Sequence, residues 1–154
     1  MNQELNNEEK AKIIQNTLLL NLASNNYTQL SLLKEEEKQD SKLGASYCYV
    51  LTNKISTRIV EIEFFPMNNN KGFFITSIEE NKSKGSFLLS NYIKAHEKKL
   101  NIREDFNRRT PDQDFQIFIK NYFQILFSLF NKNLKDILTG ETWEKVPFDW
   151  GPYK

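Results

Sequence analysis

Residues 110–140 read TPDQDFQIFIKNYFQILFSLFNKNLKDILTG, and this stretch predicts one long amphipathic helix. Thr110 is a typical capping residue, Pro111 suits the first helical position, and Gln113 completes a capping box. Gly140 follows the last periodic residues, where many helices end in a left-handed conformation. We therefore expect the helix to begin at Thr110 and to end just before Gly140.

One side of this predicted helix is strongly aromatic. At roughly 100° per residue, one face gathers Phe115, Ile119, Tyr122, Leu126, Leu129, Phe130 and Ile137. The flanks of that face add Phe118, Phe123, Ile125, Phe127 and Leu134. The opposite side is polar, so the aromatic face is expected to be buried and the rest of the chain to be organised around it.

Composition and charge limit the possible classes of protein. The chain has 154 residues, for which one domain spanning residues 1–154 is the default. Its apolar fraction is only 39%, but the 12 Phe, 6 Tyr and 2 Trp compensate because aromatic side chains bury large areas. The 21 basic and 20 acidic residues give a net charge of +1, which argues against a nucleic-acid surface that works mainly by electrostatics.

The sequence also carries expectations about compartment and cofactors. Cys48 is the only cysteine, lies in an apolar strand-like run, and is interpreted as a buried, inert thiol. The acidic, polar start MNQELNNEEK does not resemble a secretory signal, and no apolar run approaches the length of a membrane span. We therefore expect a cytoplasmic protein with no membrane contact. No Gly-rich phosphate loop, cofactor motif or tetrahedral metal set of His and Cys is present.

The first half of the chain predicts one helix followed by strands. A helix capped by Asn6 or Asn7 is expected to run to about Ala23. Residues 27–33 are ambiguous between a short strand and a helical turn, and the charged run over residues 34–42 is interpreted as a solvated loop.

Three strands are predicted next, over residues 45–52, 56–65 and 72–78. Their short connections indicate an antiparallel sheet, to which residues 27–33 would add a fourth strand. Ser86 is expected to open a second helix that runs through Leu100, and residues 101–109 read as irregular. The fold class is therefore α+β, a three- to four-stranded antiparallel sheet with the N-terminal helix and the long C-terminal helix packed on one face.

Glu61 and Glu63 are two residues apart in a predicted strand, so both point to the same face of the sheet. Three interpretations stay open: a solvated strand face, a rigid acidic contact for a basic partner, and acid–base catalysis. His96, the only histidine, lies among charged residues and is interpreted as a surface histidine.

Trp143, Phe148 and Trp150 make the C-terminal segment densely aromatic, with Tyr153 close behind. Aromatic side chains at this density indicate docking. The segment is expected either to fold back over the long helix or to contact another molecule.

The C-terminal third resembles the ends of small bacterial immunity-like proteins. The resemblance rests on the Phe-rich helix followed by LKDIL at residues 134–138, then Gly140, Trp143 and VPFDW at residues 146–150. Immunity-like proteins neutralise polymorphic or contact-dependent toxins that are encoded beside them. The resemblance implies a cytoplasmic, non-enzymatic inhibitor of one toxin, and it supplies no catalytic residues.

Three hypotheses about function follow. The first is a binding protein of the immunity type, in which Glu61 and Glu63, or the aromatic residues Trp143, Phe148 and Trp150, cover the active site of a cognate toxin. The second is a small hydrolase or nuclease that uses Glu61 and Glu63, perhaps with His96. The third is an assembly subunit whose aromatic helix face forms a homodimer.

Overall fold

The structure is a computed structural model that describes residues 5–24, 30–40, 44–53, 58–66, 71–80, 85–100, 102, 104–110 and 112–146. Its helices are α1 (Asn7–Ser24), α2 (Leu89–Ala95), α3 (Glu97–Leu100), α4 (Phe115–Lys132) and α5 (Lys135–Leu138), with a 3-10 helix at Glu104–Asn107. Its strands are β1 (Leu30–Asp40), β2 (Gly44–Asn53), β3 (Arg58–Phe65), β4 (Gly72–Glu80), β5 (Gly85–Leu88) and β6 (Arg108–Arg109).

The described elements confirm an α+β fold with an antiparallel sheet. The strand order is β1-β2-β3-β4-β5, and the short strand β6 pairs with β4 beside β5. The prediction of three or four strands is wrong, because the described residues form six. The three predicted strands correspond to β2, β3 and β4, and Pro66 follows the end of β3 as expected.

Strand β1 contains most of the charged run that was predicted to be a loop. Glu35, Glu36 and Glu37 lie opposite residues 47–49 of β2 in an antiparallel register. Among the described strands, β1 has a neighbour on one side only. Charged side chains are well tolerated on such an edge because they discourage pairing with other chains. The run lacks the apolar alternation by which strands are recognised, so its sequence gave no sign of the pairing.

The second predicted helix begins later than expected. Gly85–Leu88 forms β5, in which Phe87 lies opposite Ile78 of β4, and α2 starts only at Leu89. A break at His96 separates α2 from the single turn of α3. Ser86 is therefore a strand residue, because pairing with β4 buries Phe87 more completely than a helical turn at the surface would.

The long helix is also shorter than predicted. α4 begins at Phe115, and its cap is Asp114, whose side chain accepts a hydrogen bond from the Ile117 N–H at 3.1 Å. The proposed cap at Thr110 is wrong, since Thr110 lies in a turn before the helix. Asn133 ends α4 and the separate turn α5 follows, whereas Gly140 has a φ of 90°, which confirms the left-handed residue at the end of the stretch.

Phe74 of β4 is the hub of the core. Its ring stacks on Tyr122 of α4 at 3.9 Å between centroids and also contacts Phe64, Phe118 and Phe123. Strand register places Tyr49 of β2 on the same face of the sheet as Phe74.

The first helix reaches this same face. The Tyr49 hydroxyl donates a hydrogen bond to the Ala11 carbonyl of α1 at 2.8 Å. α1 is capped by Asn6, whose Oδ1 accepts from the Glu9 N–H at 2.8 Å, so the predicted cap of this helix is confirmed. Helices α1 and α4 therefore both cover the face of the sheet that carries Tyr49 and Phe74, which we call the inner face.

Gly72 permits the close approach of strand β4 to the core. A Cβ atom added at Gly72 would lie 2.7 Å from Cζ of the buried Phe64 ring. We expect Gly72→Ala to lower the free energy of unfolding by about 1–3 kcal/mol, as overpacking usually does. Urea unfolding of Gly72→Ala, Phe64→Leu and the double variant measures this. The double variant should lose less than the sum of the single losses, and strictly additive losses would contradict the contact.

Leu126 lies on the buried face of α4 and is fully inaccessible to solvent. Leu126→Ala should lower the free energy of unfolding by about 2–5 kcal/mol, because it removes buried methyl groups and leaves a cavity. Gln124→Ala, at an exposed position of the same helix, is the matched control and should change little. Equal thermal midpoints for the two variants would refute the central role of α4.

Candidate functional site

The face of the sheet opposite α1 and α4 carries the predicted carboxylates. Glu61 and Glu63 project from β3 on this outer face, as the alternation of the strand predicted. Register places Cys48 and Ile75 on either side of Glu63, and Val50 and Ser77 on either side of Glu61. The outer face also carries Glu36, Lys38, Ser46, Thr52, Ile59, Phe65, Phe73 and Glu79.

Strand β2 holds both carboxylates in place. The Ser46 hydroxyl donates a hydrogen bond to Oε2 of Glu63 at 2.6 Å, and the Cys48 thiol donates to Oε1 of Glu61 at 3.1 Å. Each donor lies diagonally across from its acceptor in the β2–β3 register. The two carboxylates are therefore oriented by the neighbouring strand before any partner arrives.

Lys38 of β1 completes this network. Its Nζ lies 3.3 Å from Oε1 of Glu61 and 3.7 Å from Oε1 of Glu36. The three side chains are between 35% and 42% exposed, so these ion pairs contribute little to stability and serve mainly to orient the groups. Sequence reasoning missed Lys38 because it lies in the run that was predicted to be a loop.

Cys48 is buried, with 1% of its surface exposed. Burial, together with the adjacent Glu61 carboxylate, raises the pKa of the thiol from 9.0 to about 12. The thiol therefore stays protonated and acts as a hydrogen-bond donor, which confirms the prediction of a buried cysteine. A thiol held in its protonated form is a poor nucleophile.

His96 lies on the other side of the sheet. Its Nε2 is 2.6 Å from Oε2 of Glu144, and its ring packs on Tyr92, which belongs to the inner-face core. The His96 side chain is 28% exposed, so it lies at the surface but has a defined partner in Glu144. Because the sheet separates His96 from Glu61 and Glu63, the three groups that the hydrolase hypothesis combines do not share one pocket.

Trp143 packs on the protein's own core. Its ring lies 5.3 Å from that of Phe87, and the Arg58 guanidinium lies 5.1 Å from the Trp143 ring centre. Arg58 is itself buried, pairs with Glu80 at 3.3 Å, and donates to the Thr142 carbonyl at 2.9 Å.

The C-terminal aromatic segment therefore packs against the rest of the protein at Trp143, which is half-buried. Phe148 and Trp150, the other two aromatic residues assigned to partner binding, lie outside the described residues. Their contribution to binding stays a prediction.

The aromatic face of α4 is buried within the protein. Its members, including Phe118, Tyr122, Phe123 and Phe127, are buried against the sheet and neighbouring elements. A homodimer would therefore have to use another surface than the one proposed for it.

In the part of the chain that the structure describes, no helix is both long enough and apolar enough to cross a membrane. Within the same residues, no three His, Cys, Asp or Glu side chains gather as they would around a metal ion.

The environment of Cys48 predicts its reactivity. Because its pKa is raised, the folded protein should react very slowly with iodoacetamide at about pH 8, and the rate should stay low up to about pH 10. Unfolding in urea should restore the reactivity of an ordinary thiol. Mass spectrometry gives a one-site readout, since the chain has one cysteine. Rapid alkylation of the folded protein would contradict the buried hydrogen bond to Glu61.

Comparison with protein-family models, with curated proteins and with solved structures finds no match to this chain. The resemblance of the C-terminal third to immunity-like proteins is therefore neither supported nor opposed by a relative. Function is therefore inferred from the geometry of the outer face.

Proposed function

We propose that the protein is a non-enzymatic binding protein of the immunity type, which acts in the cytoplasm and inhibits a cognate bacterial toxin by covering its active site. The observation that carries this proposal is the outer face, where Glu61 and Glu63 are held by Ser46 and Cys48 on a rigid sheet. Fixed carboxylates lose little entropy when they meet a partner, so their charge is available for recognition.

The charge of the outer face defines the chemistry of the partner. Among the side chains that the structure describes, the four carboxylates of Glu36, Glu61, Glu63 and Glu79 outnumber the two cations on this face, Lys38 and Arg108. This excess of negative charge favours a basic protein surface, such as the cleft of a toxin that binds phosphate-containing substrates. Opposite charges would accelerate the encounter and fix the orientation of the complex.

Apolar side chains between the carboxylates supply contact area. Ile75 lies directly opposite Glu63 and is 39% exposed, and Val50 and Ile59 are partly exposed beside Glu61. An apolar patch that is interleaved with oriented polar groups is the usual composition of a protein–protein interface. Open antiparallel sheets offer such a patch without the need for a loop to become ordered on binding.

The aromatic C-terminal segment has a smaller part in this proposal. Trp143 packs against Phe87 and Arg58, so only the part of its ring that remains exposed can contact a partner. Phe148 and Trp150 stay candidate anchors, because large aromatic side chains often dominate binding energy.

Co-expression with the product of the neighbouring gene tests the proposal directly. The wild-type protein should restore growth of cells that produce that product, and the Glu61→Lys/Glu63→Lys variant should fail to do so. Charge reversal replaces attraction by repulsion, and we expect the association rate of the purified pair to fall by at least about tenfold at low salt.

A matched charge reversal separates this effect from a general change of net charge. Asp136 and Glu141 are exposed and lie in and just after α5, away from the outer face. The Asp136→Lys/Glu141→Lys variant changes the net charge by the same amount and should preserve protection. A circular dichroism melt of each variant checks that it is folded. A neighbouring product that is not toxic, or toxicity that the wild-type protein does not relieve, would refute the proposal.

A further inference from the structure

The edge of β4 is interrupted. β5 pairs with residues 77–80 of β4, and β6 pairs with residues 72–73 of the same strand. Residues 74–76 of β4 lie between these two pairings, where the chain that connects β5 to β6 leaves the sheet. That intervening chain contains α2, α3 and the 3-10 helix. A cavity of about 400 Å³ lies at the interruption, and we call it the gap cavity. Its volume falls within the range of small-molecule sites.

Aromatic rings form one wall of the gap cavity. Tyr122 and Phe106 stack at 5.5 Å with an angle of 10° between their planes, and Tyr122 also stacks on Phe74. Phe106 is only half-buried, so the stack of three rings is accessible at one end. A planar ring would extend such a stack with favourable contact area.

Asn107 forms part of the cavity lining. Its Nδ2 donates to the Phe74 carbonyl at 3.1 Å, which determines the orientation of the amide and joins it to β4. Its Oδ1 is buried and has no hydrogen-bond partner among the described residues. Because that oxygen exposes almost no surface, a ligand in the cavity does not contact it.

The charges that line the cavity are positive. Lys94 and Arg108 both contribute to its lining and are exposed at its rim. Among the side chains that the structure describes, no acidic residue lines it. The phenol of Tyr122 adds no negative charge, because burial raises its pKa by more than the hydrogen bond with Thr76 lowers it.

We propose that the gap cavity binds a small planar aromatic anion, such as an aromatic carboxylate. The ring extends the stack formed by Phe106 and Tyr122, and the anionic group lies near Lys94 and Arg108. This site lies at the opposite edge of the sheet from β1 and does not depend on the proposed toxin partner.

Indole-3-acetate is a suitable probe because it combines a planar aromatic ring with a carboxylate. Amide chemical shifts of the ¹⁵N-labelled full chain, followed during titration, should change saturably around Phe106 and Asn107. Tryptamine keeps the same ring but is cationic, and it should not saturate the site.

Variants of two lining residues, Arg108 and Phe106, test the contribution of each to binding. Arg108→Gln should weaken binding of indole-3-acetate about three- to fivefold, as expected for loss of one partly exposed charge pair, whereas Lys120→Gln on the exposed side of α4 should not. Phe106→Leu should weaken binding further, and its amide spectrum away from the cavity reports whether the fold is kept.

Three results would overturn the proposal. They are the absence of saturable shifts at millimolar indole-3-acetate, equal binding of tryptamine, and equal binding by Arg108→Gln and the wild-type protein. Toxin neutralisation is scored separately, so failure at the cavity and failure at the outer face can be told apart.

Discussion

The contact between Phe74 and Tyr122, stacked at 3.9 Å with an angle of 7°, is the constraint on which the arrangement depends. It joins β4 of the sheet to the middle of α4. Phe64 of β3 and Phe118 of α4 also contact the Phe74 ring. Because the helices occupy the inner face, the carboxylates of the outer face are left open to other molecules. The same pair of rings also forms a wall of the gap cavity, so both proposed sites take their position from one aromatic stack.

Local pattern predicted those parts of the fold that follow from periodicity. The aromatic face of α4 and the alternation of β3 are both evident in the sequence, and they placed Phe74's partners and Glu61 correctly. The first residues of β1 fall within residues 27–33, which were a candidate fourth strand. The charged part of β1 and all of β5 were missed because their strand character arises from pairing with distant residues rather than from their own apolar pattern. The start of α4 was misplaced because Thr110 and Asp114 are both good caps, and the fold selects between them.

The candidate sites, like the fold, could be predicted from the sequence only in part. Two glutamates that are two apart in a strand must share a face, so the outer-face carboxylates could be predicted without a structure. Their partners Ser46, Cys48 and Lys38 required the register of three strands, which the sequence does not specify. Asn107 and Arg108 looked like part of an irregular charged segment, and only the interruption of the β4 edge brings them beside Tyr122.

The packing of Trp143 on Arg58 has a consequence for spectroscopy of this protein. The two tryptophans of the chain, at positions 143 and 150, both follow α5, whereas the buried core cluster that the structure describes contains no tryptophan. Emission from Trp143 therefore reports how the C-terminal segment packs against Arg58 of β3 and Phe87 of β5, and it senses α4 only indirectly. A fluorescence transition that precedes the loss of far-ultraviolet ellipticity would signal detachment of that segment from a body that is still folded.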